Sequence, residues 1–495
     1  MAAASGRAGA QDEETQTVRG LVMFKQYGDY DGLGLAALVK KGEVSASEVL
    51  DEALARTAAI DPKINAIVVR HDDYARQQIK NGLPNGPFTG VPFVIKDLNA
   101  LAGTRTTSGA TLYKDVVAPK DATISQRFVA AGLTIFGKSA SPEFGLMPTT
   151  ESRLFGPTRN PWNPEHSSGG SSGGAAAAVA ARVLPLAHAT DGGGSIRIPA
   201  SACGVFGLKP TRARTPAGPD RGQGWGGFSC GHVVSISVRD SAAMLDATQG
   251  PEPTSPYWAP PPERPFLEEV GRDPGRLRIA FTDKSPYGDA IDPEIAAAVR
   301  DVATMLGKLG HEVEERSPVL PHDPSSVLRV IVSASTSVSV RLAERRFGRK
   351  ITRSDFEVLT LANAAFGEQA SAADYAEAEL KGFEISRALA EFFGTCDVFL
   401  SPTLCLPPIK IGETDTMATD LSPLAPLFRR YIPGTSMFNI SGQPAMSVPL
   451  AWNKAGLPLG MMFSARFGDE ATLFRLAAQL EQARPWRDRK PPISA

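Results

Sequence analysis

Cysteine and histidine are scarce in this sequence, and this scarcity argues against metal and disulfide sites. Six histidines occur in 495 residues and form no H-x-x-x-H pattern. The four cysteines also lack metal-ligand spacing; they are Cys203, Cys230, Cys396 and Cys405. Zinc sites depend on closely spaced ligands, so we expect no metal and no other cofactor. The default interpretation of the cysteines is that they are buried free thiols.

An excess of one charge and a long apolar run are also missing. The formal net charge is −1, which gives no electrostatic reason to expect a nucleic-acid partner. No apolar run approaches the roughly 20 residues that span a bilayer, so we expect no membrane partner. Residues 1–18 are small, polar and charged and lack the apolar core of a signal peptide. We therefore predict a disordered tail over residues 1–18 of a cytoplasmic protein.

The sequence does contain an alternation of helix-like and strand-like segments. Helices are predicted over residues 45–61, 175–184, 292–309 and 470–482, and strands over residues 91–95, 133–136, 277–281 and 311–313. The first helix begins with the capping box Ser45-Ala46-Ser47-Glu48, and the third begins with Asp292-Pro293. Such alternation predicts an α/β fold with a mixed, mostly parallel twisted central sheet and helices on both of its faces.

Domain organisation is predicted from the absence of repeats and long linkers. A chain of 495 residues could form two or three domains. No linker is long enough to force a division, so we predict one large domain over residues 19–495. Proline dominates residues 250–274, which we interpret as an excursion between two parts of the core.

Three polar segments carry the chemistry, and the first is the turn Asp191-Gly192-Gly193-Gly194-Ser195. Hydrolysis of an amide needs a nucleophile and aligned donors for the tetrahedral oxyanion. Glycines let consecutive peptide N–H groups converge on one point, so Gly192, Gly193 and Gly194 could form an oxyanion hole. Ser195 at the end of the turn is then well placed as the nucleophile. A tight loop without a catalytic role is an equally good interpretation of this segment alone.

The second segment is the loop Gly169-Gly170-Ser171-Ser172-Gly173-Gly174. Ser171 lies 24 residues before Ser195, in a loop that could approach it. The loop contains G-x-S-x-G, the nucleophile elbow of α/β-hydrolases, whose base here would be His188 or His232. That motif requires an apolar strand directly before it, and the polar residues 164–168 stand there instead. A flexible linker is the other interpretation of the loop.

The third segment is an apolar run, Val91 to Ile95, that ends in Lys96. A lysine at the end of a buried strand loses solvation, and its pKa falls toward the range useful for a general base. A surface lysine paired with a nearby acid is the ordinary interpretation of a lone lysine. The three segments together change that judgement, because they supply a nucleophile, a second serine and a base.

In combination, these segments resemble the signature of the amidase signature family. The resemblance is carried by residues 169–174, 191–201 and 203–211, and by the lysine strand Gly90 to Asp97. Similar blocks also stand at residues 158–163, 397–403 and 438–444. The likeness covers roughly residues 30–490, with a signature core at about residues 86–240. It implies the fold of that family and hydrolysis of amide bonds.

The resemblance also implies a role for each polar residue. Ser195 would be the nucleophile, Ser171 a bridging serine held by a cis peptide that relays protons, and Lys96 the base that starts the relay. Lys96 must be neutral to act as a base, so activity is expected to rise with pH into the alkaline range. Many family members carry isoleucine or threonine where this chain has Gly192. A looser turn or a roomier pocket is therefore expected here.

The resemblance implies small-molecule amides or carbamates as substrates and leaves their identity open. The chain is most similar to bacterial members that act as aryl acylamidases, oligoamide (6-aminohexanoate-type) hydrolases or urethanases. Substrate contacts are predicted for Phe144, Met147 and Gly170, whose apolar or small character favours an uncharged substrate. Packing in the core is the alternative interpretation of these side chains. The resemblance leaves a homodimer open.

Two rival functions follow from the same resemblance. One branch of the family transamidates glutamyl-tRNA beside partner subunits, although the balanced charge and the proline-rich excursion count against that branch here. The second rival is a catalytically inert amidase-like domain used for protein interaction. Such a domain would be expected to lose the nucleophile or the base, whereas Lys96, Ser171 and Ser195 are all present.

Overall fold

Helices and strands alternate along the chain, and the computed structural model describes residues 24–253 and 255–495 of it. The predicted tail over residues 1–18 lies outside the described residues. The helices are α1 Gly32–Lys41, α2 Ala46–Ile64, α3 Asp72–Asn81, α4 Thr123–Ala130, α5 Gly173–Ala180, α6 Arg197–Cys203, α7 Val238–Thr248, α8 Pro293–Lys308, α9 Pro324–Phe347, α10 Val358–Gln369, α11 Ala372–Phe393, α12 Leu424–Tyr431, α13 Met437–Ser441 and α14 Glu470–Ala483. The strands are β1 Ile67–Arg70, β2 Pro92–Lys96, β3 Thr134–Ser139, β4 Glu151–Ser152, β5 Gly156–Pro157, β6 Arg159–Asn160, β7 Asn163–Ser167, β8 Leu186–Asp191, β9 Phe206–Lys209, β10 Cys230–Ser235, β11 Arg278–Phe281, β12 Glu312–Glu315, β13 Val398–Pro402, β14 Ala445–Trp452 and β15 Pro458–Ala465.

The predicted helix starts are confirmed by their caps. Ser45 and Glu48 form a complete capping box at the start of α2. The carboxylate of Asp292 accepts hydrogen bonds from the first turn of α8, where Pro293 fills the first position. The ends are less regular: α2 continues past its predicted end and stops at Asn65, which adopts a left-handed conformation. Helix α5 ends four residues earlier than predicted, before Arg182, which has a positive φ.

An eight-stranded mixed sheet forms the centre of the fold, in the order β12-β11-β13-β15-β14-β9-β10-β8. Its mixed character and the α/β class agree with the prediction, but the prediction that it is mostly parallel is wrong. Among the described strands of this sheet, only β12–β11 and β11–β13 pair in parallel. The remaining pairs of this sheet are antiparallel. One of them is a hairpin, in which β14 returns directly to β15 through a short turn at residues 453–457. A parallel pair would have required a long crossover.

A smaller sheet, in the order β1-β3-β2, brings the lysine strand to the centre of the molecule. Strand β2 is buried along its whole length, and the backbone N–H of Lys96 donates to His188 Nδ1 on β8 at 3.2 Å. Lys96 is the last residue of β2, and Asp191 is the last residue of β8. Two polar strand ends therefore lie side by side.

Helix α5 packs tightly against both sheets because it is built almost entirely of alanine and glycine. All of its residues are buried. A side chain on Gly174 would collide with the backbone of Ala140, just after β3. The start of α5, and with it the serine loop, is thereby held close to the strand ends. The four cysteines are free and buried, as predicted.

Helix α9 alone among the described helices is long and apolar enough, by length and composition, to cross a membrane. The mean hydropathy of its most apolar window is 1.3. The helix also carries Arg341, which pairs with Glu368 of α10. Helix α9 packs against α10 and α11, and 33% of that window is buried inside the protein, so one such helix is weak grounds for a membrane partner.

The proline-rich residues 250–253 and 255–274 form neither strand nor α-helix, apart from a short 3-10 turn at Phe266–Glu269. Phe266 from this turn is buried against Phe474 of α14, with ring centroids 5.7 Å apart. The excursion therefore contributes to the core around α14. The interpretation of this segment as an excursion between two parts of one domain stays a prediction.

Candidate active site

A buried lysine surrounded by three hydroxyl groups lies where β2 and β8 end. Lys96 Nζ is 2.7 Å from Ser171 Oγ, 2.9 Å from Ser172 Oγ and 2.9 Å from Thr190 Oγ1. The lysine side chain is completely shielded from solvent. The structure thus brings together two of the predicted residues, Lys96 and Ser171.

The environment of Lys96 favours its neutral form. Burial lowers the pKa of Lys96 well below its ordinary value, and the negative charge of Asp191 opposes this shift in part. All three contacts of Nζ are to neutral hydroxyl groups rather than to a carboxylate. A neutral amine can accept a proton from a serine hydroxyl, whereas an ammonium group cannot.

The serine loop reaches Lys96 because its glycines allow close backbone packing. A side chain on Gly170 would collide with the backbone of Thr149, and one on Gly173 would collide with the Thr150 side chain. The Gly170–Ser171 peptide bond is cis, as the family resemblance implies. The loop is buried throughout and is therefore not the flexible linker that its composition also allowed.

Ser195 lies at the end of the glycine turn that follows β8. Its side chain is 8% exposed, and its Oγ has no hydrogen-bond partner among the described residues. Both Ser171 and Ser195 line one cavity of about 480 Å³. The Ser195 hydroxyl is therefore accessible from the cavity, as a nucleophile must be to reach a substrate.

The carboxylate of Asp191 holds this turn from inside. Asp191 Oδ1 accepts from the N–H of Gly194 at 2.7 Å, and Oδ2 accepts from the N–H of Ile196 at 3.1 Å. Burial alone would raise the pKa of Asp191, but the adjacent Arg197 guanidinium and the amide of Asn439 hold it well below its usual range. The turn is therefore fixed around a permanent negative charge.

Arg197 joins the turn to the C-terminal part of the chain. Its guanidinium donates to both oxygens of Asp191 at 3.0 Å, to the Thr435 carbonyl at 2.9 Å and to Asn439 Oδ1 at 2.7 Å. Asn439 Nδ2 in turn donates to Asp191 Oδ1 at 2.8 Å. Sequence reasoning did not assign these residues a role, although Asp191 and Arg197 flank the recognised turn and Asn439 stands in a recognised block.

The predicted oxyanion donors differ in availability. The N–H of Gly194 is engaged by Asp191 Oδ1 and is not free for a ligand, which contradicts its prediction as a donor. Gly194 also has a φ of +137°, and a side chain there would come within 2.6 Å of Ile198 and Thr435. Its glycine thus serves the shape of the turn. Gly192, by contrast, lines the cavity next to Ser195.

The roomier pocket expected from Gly192 is not present. A Cβ atom added to Gly192 would lie 2.5 Å from Trp225 Cε3 and 2.7 Å from Trp225 Cζ3. The indole of Trp225 therefore fills the space above this glycine, and it lines the cavity itself. No sequence pattern indicates this contact, because Trp225 lies in a separate loop further along the chain.

Of the three predicted substrate contacts, only Phe144 lines the cavity. Met147 is 3% exposed and packs inside the protein, because the chain turns inward through left-handed conformations at Phe144 and Gly145. Gly170 packs on the backbone of Thr149. Gly145 was not predicted, yet it lines the cavity and a side chain there would come within 3.1 Å of Ser171 Oγ.

Neither histidine of the esterase alternative reaches the cavity. His188 accepts from the Lys96 backbone and stacks near Phe128, with ring centroids 5.0 Å apart. His232 pairs with Ser241 at 2.8 Å. Burial lowers the pKa of His188 well below its ordinary value. The basic side chain in contact with Ser171 is therefore a lysine and not a histidine.

Comparison with known proteins gives results along nearly the whole chain. The Amidase family model matches residues 48–474. The chain is 37% identical to 6-aminohexanoate-cyclic-dimer hydrolase from Pseudomonas sp. (strain NK87), across 94% of the chain and 96% of that enzyme.

Solved structures of similar proteins agree with this match. The structure of 6-aminohexanoate cyclic dimer hydrolase complexed with substrate is similar, with a TM-score of 0.90 and 35% identity, covering 94% of this chain and 99% of that one. A bacterial aryl acylamidase of the amidase signature family gives a TM-score of 0.84 at 26% identity, covering 92% of this chain and 96% of that one.

Proposed function

The chain belongs to the amidase signature family and acts on amide bonds, and we propose that it does so through an acyl-enzyme on Ser195. Ser171 and Lys96 form the proton relay in this proposal. The single observation that carries it is that the buried Lys96 Nζ lies 2.7 Å from Ser171 Oγ, and that Ser171 lines the same cavity as Ser195. The arrangement supplies a base, a relay and a nucleophile without a histidine.

The first half of the reaction forms the acyl-enzyme. Ser195 Oγ attacks the amide carbonyl carbon while its proton passes to Ser171, whose own proton passes to the neutral Lys96. The tetrahedral intermediate then collapses. Its C–N bond breaks, and the leaving nitrogen takes a proton back from Ser171, which is restored from Lys96.

The negative oxygen of the intermediate needs donors, and the turn supplies them. With the N–H of Gly194 bound to Asp191, the remaining candidates are the N–H groups of Gly192, Gly193 and Ser195. Loss of one such donor typically costs about 100- to 1000-fold in rate. Water then attacks the acyl-enzyme by the reverse relay and releases the acid.

Substrates are proposed to be uncharged aryl amides, oligoamides or carbamates. The cavity beside Ser195 is lined by Phe144, Leu146 and Trp225, so a substrate with apolar groups fits it. The similar enzyme from Pseudomonas is named for its action on the cyclic dimer of 6-aminohexanoate. Carbamates present a carbonyl of the same shape to the same nucleophile. A cytoplasmic location and a homodimer remain predictions.

The decisive experiment measures kcat/KM of the chain alone on an anilide, a linear oligoamide, an aryl carbamate and a primary amide. Ser195→Ala should lower each detectable rate by at least about 1000-fold. Ser354→Ala, at an exposed serine, serves as the matched control and should leave rates unchanged. Silence of the purified wild type on the whole panel would favour the partner-dependent transamidase or the inert domain.

A further inference from the structure

Trp225 occupies an unusual position for a large aromatic residue. It lies in a tight loop, residues 224–229, that is closed by hydrogen bonds from the N–H groups of Gly227 and Ser229 to the Gly224 carbonyl. Its φ is +48°, and Gly226 and Gly227 follow with positive φ as well. A bulky side chain rarely adopts this region, so the surrounding structure must impose it.

This backbone conformation recurs around the cavity. Six non-glycine residues in the described part of the chain have a positive φ, and three of them, Ser108, Phe144 and Trp225, line this one cavity. Disfavoured backbone conformations cluster at ligand sites because they direct side chains toward a ligand in ways that ordinary conformations do not allow. Both aromatic members therefore present their side chains at the cavity wall.

Trp225 is held from two sides. On one side its indole lies against Gly192, the first residue after Asp191 in the catalytic turn. On the other side its loop packs on α9: a side chain on Gly226 would come within 3.0 Å of Ile331, and the Trp225 ring belongs to the apolar cluster of Leu328. Contacts on both sides thus hold the Trp225 ring in place in the cavity lining near Ser195.

Gly192 has no backbone reason to be glycine, since its φ is not positive. Its missing side chain is explained by contact alone, because a Cβ atom would lie 2.5 Å from the indole. Such an approach is shorter than real Cβ contacts, so either the turn or the ring would have to move. Gly192 and Trp225 are therefore a complementary pair.

We propose that Trp225 is a specificity-determining residue, which selects amides and carbamates with an aromatic ring next to the scissile bond. Gly192 is glycine so that the indole can lie on the turn that carries Ser195. Aromatic rings prefer offset or edge contacts with one another, and a puckered aliphatic ring of equal size loses this contribution. The inference rests on the proposed hydrolase function and names its substrate class.

The test compares matched flat and puckered substrates. The pairs are N-phenylacetamide with N-cyclohexylacetamide, and N-methylbenzamide with N-methylcyclohexanecarboxamide. In at least one pair, Trp225→Leu should reduce the phenyl-to-cyclohexyl ratio of kcat/KM by between about twofold and tenfold. Intrinsic leaving-group reactivity cancels, because the ratio is compared between wild type and variant. Trp258→Leu, at a tryptophan that is 57% exposed, should leave both ratios unchanged.

A double mutant separates direct contact from general damage. Gly192→Ala alone should lower kcat/KM on every substrate by at least about tenfold, because the turn or the indole is displaced. In the Trp225→Leu background, Gly192→Ala should lower kcat/KM by less than about threefold. Circular dichroism and melting temperature identify any variant that fails to fold, and Trp225→Phe then replaces Trp225→Leu.

The outcomes distinguish this inference from the function on which it rests. If the wild type shows no Ser195-dependent hydrolysis, the proposed function fails and the inference fails with it. If the wild type is active but Trp225→Leu leaves both ratios unchanged, only the specificity role is overturned. If Gly192→Ala lowers kcat/KM by the same factor in the wild-type and Trp225→Leu backgrounds, Gly192 and Trp225 are not a complementary pair.

Discussion

Removal of the Arg197 guanidinium is the perturbation that most directly tests how the catalytic turn is held. Arg197 and Asp191 are both completely shielded from solvent. Arg197→Met keeps a side chain of similar length but leaves the Asp191 carboxylate without its positive partner. Only the backbone N–H groups of Gly194, Ile196 and position 197 and the amide of Asn439 would still donate to it.

The expected cost is large because a charge stays buried. Removing one partner of a buried ion pair typically costs about 3–5 kcal/mol, whereas breaking an exposed pair costs about 1 kcal/mol or less. Arg276→Met provides the matched control, since Arg276 and its partner Glu312 are 72% and 55% exposed. Reversible urea unfolding at pH 7 should therefore separate the two variants clearly.

The pH dependence of this cost has a definite sign. In the wild type the pKa of Asp191 is held low, so its stabilising contribution is complete above the ordinary aspartate range and is lost only in strong acid. In Arg197→Met, burial raises that pKa above the ordinary range, and the folded state then binds a proton that the unfolded state has lost. The loss in free energy of unfolding caused by Arg197→Met should therefore shrink by up to about 1.4 kcal/mol for each unit that the pH falls from 7 to 5. A penalty below about 1 kcal/mol, or one independent of pH, would refute the ion-pair account.

Further predictions concern the relay. Lys96→Met should abolish hydrolysis in a kcat/KM assay yet leave the chain folded by circular dichroism, because an apolar side chain of similar size fills the space of the buried amine. The acid limb of the wild-type pH profile should fall well below the ordinary lysine pKa, since the proposed relay requires deprotonated Lys96; a limb near that ordinary value would contradict this role. Thr190→Val should shift that limb without removing activity, as it deletes one hydroxyl contact of Nζ. Incubation with a chelator should leave kcat unchanged, and metal-dependent loss would contradict the serine mechanism.

Local motifs were predictable from the sequence because each has its cause within a few residues. The capping box at Ser45, the buried strand before Lys96 and the glycine turn before Ser195 all appear where they were expected. The family resemblance added the association of Lys96 with Ser171. The 23 residues between Ser171 and Ser195 include the whole of β8, and no local sequence pattern shows that the chain returns to the serine loop after this strand.

Features that depend on distant segments could not be predicted. Asn439 reaches Asp191 across 248 positions of sequence, and Trp225 meets Gly192 only because its loop is fixed against α9. The prediction of a mostly parallel sheet was wrong for the same reason. Alternation of helices and strands indicates an α/β fold, but the short connection between β14 and β15 decides that these two strands run antiparallel. Met147 illustrates this at one residue: it is buried away from the cavity, and the left-handed backbone at Phe144, three residues earlier, has no signal in the sequence.

The site combines two opposite treatments of buried charge. Asp191 stays ionised because Arg197 and Asn439 compensate it, and it thereby orders the turn around Ser195. Lys96 lies near Asp191 but is contacted only by hydroxyl groups, so burial leaves it neutral and able to accept a proton. The negative charge of Asp191 opposes the neutral state of Lys96 only in part. An ion pair thus keeps one buried group of the site charged, while burial among hydroxyl groups favours the neutral form of the other.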